Sequence, residues 1–149
     1  VKIMLVCSSG GHLAQLALLQ PWWRQHERTW VTFPGAHADS VLQGETVAHA
    51  HYPTTRNIPN AIRNLRLAVS LLRAERPDVL VSDGAGVAFP FFLVGRLLGV
   101  RTVYLEVYDR ITRPSLTGRL CYPLAELFLL QWPEQAARYP RGQVIGCLL

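Results

Sequence analysis

"KIMLVCSSGGHLAQLALL", residues 2–19, changes character twice, and that change sets the fold. Residues 2–8 form a continuous apolar run closed by turn residues, which reads as a buried strand. From residue 12 the pattern turns helical, with Leu13, Leu16, Ala17 and Gln20 on one side and Pro21 ending or restarting the helix. Between them lies Ser8-Ser9-Gly10-Gly11-His12. Strand, small-residue loop, helix is the unit from which parallel sheets are built.

The unit recurs outward from there. Residues 28–33, 46–52, 77–82, 101–107, 126–132 and 143–149 read as further strands. Between them, Pro59–Glu75 reads as a helix started by Pro59 and Asn60. Ile62, Leu65, Val69 and Leu72 form its apolar stripe, and Arg63, Arg66, Arg73 and Arg76 lie largely off it. Residues 86–98 read as an apolar helix, 108–119 as a loop and helix start, and "PEQAARY" as a short helix. The strands lack clean alternation, as expected where both faces of a sheet are covered. The expectation is one Rossmann-like α/β domain over residues 1–149, a doubly wound parallel sheet of six or seven strands. Ligands of such sheets bind beyond the carboxyl ends of the strands.

Composition bounds the function. The 149 residues suffice for one domain, so a reaction that needs two must recruit a partner. Half the residues are hydrophobic and 17% are charged, which excludes a disordered chain. The formal charge of +5 comes almost wholly from arginine, with Lys2 the only lysine. It fits either a soluble basic face or attraction to lipid head groups, phosphates or nucleic acid. Cys7, Cys121 and Cys147 form no paired motif and are expected to be reduced thiols of a cytoplasmic protein. No leader is expected, and the longest apolar run, Val87–Leu98, is interrupted by Pro90, Gly95 and Arg96. It falls short of the roughly 20 residues of a membrane span.

Three places carry candidate chemistry. Gly10 and Gly11 precede a helix N-terminus, so backbone N–H groups and helix partial charge make a possible anion site. Neither the dinucleotide fingerprint nor a Walker loop is present. His12, at the positive end of a helix, should favour neutral imidazole, which suits a general base. The second place, Ser82-Asp83-Gly84-Ala85-Gly86, is equivalent in topology and should share a rim with the first. The third begins at Glu106, an unusual carboxylate at the end of an apolar strand, and continues through Tyr108, Asp109 and Arg110. Glu106 fits a contact to a sugar hydroxyl, a support for His12, or a pairing with a nearby arginine. His49 and His51 would share a strand face, but nothing completes a metal set with them. Trp22, Trp23 and Arg24 suit either a membrane interface or packing.

"SSGGHLAQL" (8–16), "SDGAGVAFPFFLVGRLLG" (82–99) and "YLEVYDRITRPSLTGRLCYPLAELFLLQWPE" (104–134) occur in one order. Together they resemble the acceptor-side subunit of bipartite glycosyltransferases, the bacterial PssD- and EpsE-type polysaccharide proteins. They also resemble the membrane-anchoring subunit of the eukaryotic dolichol-linked UDP-GlcNAc transferase and, more distantly, the N-terminal half of MurG. The resemblance implies one half of a GT-B fold that binds a lipid-linked acceptor, with a separate donor-binding subunit as partner. It implies inverting transfer from a UDP-sugar to a saccharide on undecaprenyl diphosphate, with no cofactor, no metal in the chemical step and no nucleic-acid partner. The protein is then expected at the cytoplasmic face of the membrane, held peripherally by Trp22, Trp23 and the helix 59–75 arginines.

By the same resemblance His12 is the base, with Glu106 as the alternative base or a sugar contact. Ser9, Gly10 and Gly11 cradle a phosphate, and Asp83, Gly84 and Gly86 line the neighbouring wall. Arg110, Ser115 and Thr117, with Leu116, belong to the third motif. Two other readings stay open: a non-catalytic scaffold for the transferase subunit, and a stand-alone nucleotide-binding Rossmann protein.

Overall fold

The computed structural model describes residues 1–54, 57–84, 86–107 and 114–146. Seven parallel strands form one sheet in the order β3-β2-β1-β4-β5-β6-β7. They are β1 (Lys2–Val6), β2 (Glu27–Thr32), β3 (Val47–His49), β4 (Val79–Ser82), β5 (Arg101–Leu105), β6 (Leu127–Leu130) and β7 (Gln143–Val144). The helices are α1 (Gly11–Ala17), α2 (Gln20–Trp23), α3 (Ala36–Val41), α4 (Ile58–Glu75), α5 (Ala88–Leu97) and α6 (Leu116–Cys121).

Alternate residues of the central strands face two separate cores, because successive side chains of a strand point to opposite faces. Met4, Val6, Leu80 and Tyr104 meet Ala68 and Leu72 of α4, Phe91 and Phe92 of α5 and Cys121 of α6. Ile3, Leu5, Cys7 and Val81 meet Leu13 and Leu16 of α1, Trp23 of α2 and Ala38 of α3. This two-sided burial is why the strands read as unbroken apolar runs. It also removes Trp23 from any membrane role: the ring is buried, edge-on to Trp30 at 5.4 Å, and its indole N–H donates to the Leu16 carbonyl.

The end of α4 at Glu75 is as expected, and its start differs. Its cap is Asn57, whose Oδ1 accepts the Asn60 N–H at 3.0 Å, so the helix begins at Ile58, one residue before the expected Pro59. Asn60 instead turns inward, donating to the Pro53 carbonyl at 2.9 Å. Asn64 accepts from His51 N–H at 2.8 Å and donates to His51 O at 3.0 Å, fixing the chain that leaves β3. The inward stripe of α4 is therefore Asn60, Asn64, Ala68 and Leu72, and Ile62 is 48% exposed. β3 stops at His49, so His49 and His51 share no strand face. "PEQAARY" forms a 3-10 helix at Pro133–Ala137, and β7 is shorter than expected.

Candidate functional site at the carboxyl rim of the sheet

β1, β4 and β5 are neighbours at the centre of the sheet, so the loops that follow them meet on one rim. Gly10 caps α1 at φ 79° and ψ −132°, a conformation that L side chains rarely adopt. This turn drops His12 into the first turn of α1, against the end of β4. His12 Nδ1 lies 3.1 Å from the Asp83 carbonyl oxygen. A carbonyl can only accept, so Nδ1 carries the proton and Nε2 is the basic nitrogen of the neutral ring. The side chain is 29% exposed.

The wall beside His12 differs from the expected one. Asp83 has no exposed surface, so its carboxylate does not line the cleft. Gly84 sits at φ +121°, and a Cβ there would lie 2.8 Å from the Tyr104 hydroxyl and 3.2 Å from His12 Cε1. Gly84 is thus the space that lets His12 approach β4 and β5. Gly86 plays the same part toward Thr54, whose side chain would lie 2.8 Å from an added Cβ. Burial and the Asp83 charge raise the Cys7 thiol well above its ordinary range, so Cys7 stays protonated.

Behind His12 runs a buried chain of amides. Gln15 Nε2 donates to Asp83 Oδ2 at 3.0 Å, and Gln131 Nε2 donates to Gln15 Oε1 at 2.6 Å and to the Glu106 carbonyl at 3.0 Å. Gln135 continues it, accepting from Gln131 N–H at 2.9 Å and donating to the Val107 carbonyl at 3.1 Å. None of these glutamines stands among the sequence candidates. A signal existed in Gln131, a polar residue that follows the apolar strand β6 just before the tryptophan and proline late in the third motif.

Glu106 is fully buried at the end of β5. Oε1 accepts from Val107 N–H at 3.0 Å and Ser115 Oγ–H at 2.9 Å. Oε2 accepts from Ser115 N–H at 3.3 Å and Tyr139 Oη–H at 2.7 Å. Ser115 Oγ also accepts the Gly118 N–H at 2.9 Å and so caps α6. A Cβ on Gly118 would stand 2.5 Å from Glu106 Oε2, 2.7 Å from Ser115 Oγ and 2.8 Å from Tyr139 Oη. The third motif thus encloses a buried carboxylate that fixes α6 and the segment carrying Tyr139. Burial, and then the neighbouring Glu106 carboxylate, push the Tyr139 phenol up, so it stays a donor. Thr117 is half-buried in the first turn of α6. Arg110, with Tyr108 and Asp109, lies outside the described residues, as does Cys147.

Among the described residues no group of three His, Cys, Asp or Glu is placed to hold a metal ion, and no helix is long and apolar enough to cross a membrane. A groove of about 790 Å³ opens on the opposite rim, lined in part by Arg73, Arg76 and Arg101, and shares no residue with these loops.

The chain is similar to known proteins in sequence and in fold. The UDP-N-acetylglucosamine transferase subunit ALG14 of Yarrowia lipolytica is 29% identical over 99% of this chain and 81% of its own. Its human counterpart is 26% identical over 64% of this chain and 46% of its own. Among solved structures, Acinetobacter baumannii MurG superposes with a TM-score of 0.73 at 17% identity, over 89% of this chain and 41% of MurG. The S. aureus MnaA–UDP co-structure superposes with a TM-score of 0.77 at 17% identity, over 99% of this chain and 44% of that one. This chain therefore spans less than half of either solved chain, and the likeness is one of fold. The family model described as "Oligosaccharide biosynthesis protein Alg14 like" matches residues 49–148, two of the three loops and the whole Glu106 hub included, and the chain belongs to that family.

Proposed function

We propose that this chain is the acceptor-side half of a two-chain inverting glycosyltransferase, active when a donor-binding subunit closes over the carboxyl rim. The donor is a UDP-sugar, with UDP-GlcNAc favoured by the names of the relatives. The acceptor is a saccharide on a polyprenyl diphosphate, as in lipid-linked oligosaccharide or exopolysaccharide synthesis. His12 carries the reading: a part-exposed imidazole on the rim whose Nδ1 is tied to a backbone carbonyl. Nε2 takes the proton of the acceptor hydroxyl as that oxygen attacks the anomeric carbon. The bond from this carbon to the diphosphate oxygen breaks, UDP leaves with the electron pair, and the configuration inverts. A positioned base of this kind contributes about 10²–10⁴ in rate.

The other residues take supporting parts. Ser9, Gly10 and Gly11 start a helix that has no side-chain cap among the described residues, which suits them to a substrate phosphate. Glu106 holds the rim rather than serving as base, since both of its oxygens are occupied by donors. Asp83 acts from behind His12. No metal enters the proposed step. Contact with the cytoplasmic face of the membrane falls to α4, where Ile58 is 74% and Ile62 48% exposed beside the exposed Arg63 and Arg66.

The test is transfer of labelled sugar from UDP-GlcNAc to a polyprenyl-diphosphate saccharide by this chain and a donor-binding subunit. Turnover should require both chains, and calorimetry on this chain alone should show no tight UDP-sugar binding. Tight donor binding here in the absence of a partner would favour a stand-alone nucleotide-binding protein.

A further inference from the structure

Asp83 presents a cost without a local return. Its side chain is wholly out of solvent, and burial pushes its carboxyl up to about 6. Oδ2 is held by Gln15, but Oδ1 has no hydrogen-bond partner among the described residues. Leaving a buried charged oxygen without a donor is unfavourable. That oxygen lies 3.6 Å from His12 Nδ1, too long for a hydrogen bond yet close for a charge. The hydrogen bond of Nδ1 goes instead to the Asp83 carbonyl, so the tautomer does not depend on the carboxylate. What the carboxylate adds is a negative charge aimed at the ring.

Its aim is fixed by the amide chain. Gln131 donates to Gln15 Oε1, which turns the Gln15 amide nitrogen onto Asp83 Oδ2 and leaves Oδ1 toward His12. Among the described residues, the other titratable groups packed here are Cys7 at the end of β1 and Tyr104 on β5. Burial raises both well above their ordinary ranges, so they stay neutral while His12 titrates. Glu106 lies beyond Tyr104, its carboxylate taken up by the Ser115 and Tyr139 donors.

We infer that Asp83 is a positioning residue for the transfer step: its buried carboxylate, held by Gln15 and Gln131, stabilises the imidazolium that forms when His12 Nε2 takes the acceptor proton. At neutral pH Asp83 is ionised, and it takes no proton in the transfer step. This inference rests on the reading of His12 as the base.

The experiment pairs kinetics of the two-chain enzyme with an NMR titration of the His12 ring in the full chain. Asp83→Asn should lower kcat about 10-fold or more, with KM for both substrates and partner affinity unchanged. It should lower the His12 titration midpoint by about one pH unit, the effect of removing an opposite charge at this range. The neutral ring should keep its Nδ1–H tautomer. Added to His12→Ala, Asp83→Asn should cost nothing further. Asp83→Ser serves the same purpose where the amide does not fold. An unmoved midpoint, or a loss of turnover that persists in full on the His12→Ala background, overturns the inference. The titration needs no turnover: if His12→Ala left the rate intact, the base reading alone would fall, and the midpoint would still decide whether Asp83 acts on His12.

Discussion

Replacing Glu106 by glutamine keeps the shape of the side chain and should nevertheless destabilise the fold by about 3 kcal/mol. The reason lies in where the backbone donors stand. Val107 N–H points at Oε1 and Ser115 N–H at Oε2. Hydroxyls can rotate to become acceptors, but a backbone N–H cannot. Whichever way the amide is turned, its NH2 faces one of these two donors. One N–H is then orphaned, at about 1–3 kcal/mol, and bonds from Ser115 Oγ and Tyr139 Oη lose their charge assistance, roughly half their strength. The cheaper burial of a neutral amide offsets part of this loss. Equilibrium denaturation of the isolated chain measures it, with Tyr139→Phe as comparison. That change removes one donor and leaves three groups on the carboxylate, and should cost about 1.5–2 kcal/mol. Glu106→Gln within about 0.5 kcal/mol of wild type, with turnover lost, would refute the reasoning and return Glu106 to the role of base.

Further predictions follow from the same geometry. Gly118→Ala should cost about 1–3 kcal/mol by crowding Glu106, Ser115 and Tyr139, and a melting temperature close to wild type would argue against this packing. Gly84→Ala should destabilise by about 1–2 kcal/mol and depress turnover, because its positive φ and the 2.8 Å approach to Tyr104 displace the His12 wall; normal kinetics would count against that wall. The Asp83 carboxyl rises from 3.8 to about 6 on folding, so the folded state holds this proton more tightly. Its contribution to stability is therefore lost as pH rises through that window, by up to about 3 kcal/mol relative to Asp83→Asn, and denaturation from pH 4 to pH 7 should show the difference with that sign. Ile58→Ser with Ile62→Ser should weaken flotation with anionic vesicles, and equal flotation would exclude the α4 face as the membrane contact.

The sheet was legible because its signal is local. Apolar runs such as 2–8 and 101–107, each followed by a turn and a helical pattern, locate β1 and β5 without long-range information. Helix α3 has no such signal: Ala36–Val41 is short and polar, and Ala38 is the residue it buries. The start of α4 was legible to within one residue but its cap was not, because Asn57 and Asn60 are equally good caps in sequence, and the Pro53 and His51 backbones decide between their uses. The rim was half legible. Glycine loops at two strand ends and a carboxylate closing an apolar strand announced themselves. Their partners did not, because Tyr139 lies 33 residues from Glu106 and Gln131 lies 116 from Gln15. Sequence reading therefore put Glu106 and Asp83 at the cleft, whereas folding turns both carboxylates inward and leaves His12 as the residue they surround.

The central claim is that His12 removes the acceptor proton. The most direct measurement is single-turnover transfer by the reconstituted two-chain enzyme carrying His12→Ala, with partner binding measured on the same sample. The account predicts a rate at least about 100-fold below wild type, with partner affinity and acceptor binding unchanged. A rate within a few-fold of wild type, with normal partner binding, would contradict it and leave this chain as a scaffold for the transferase subunit.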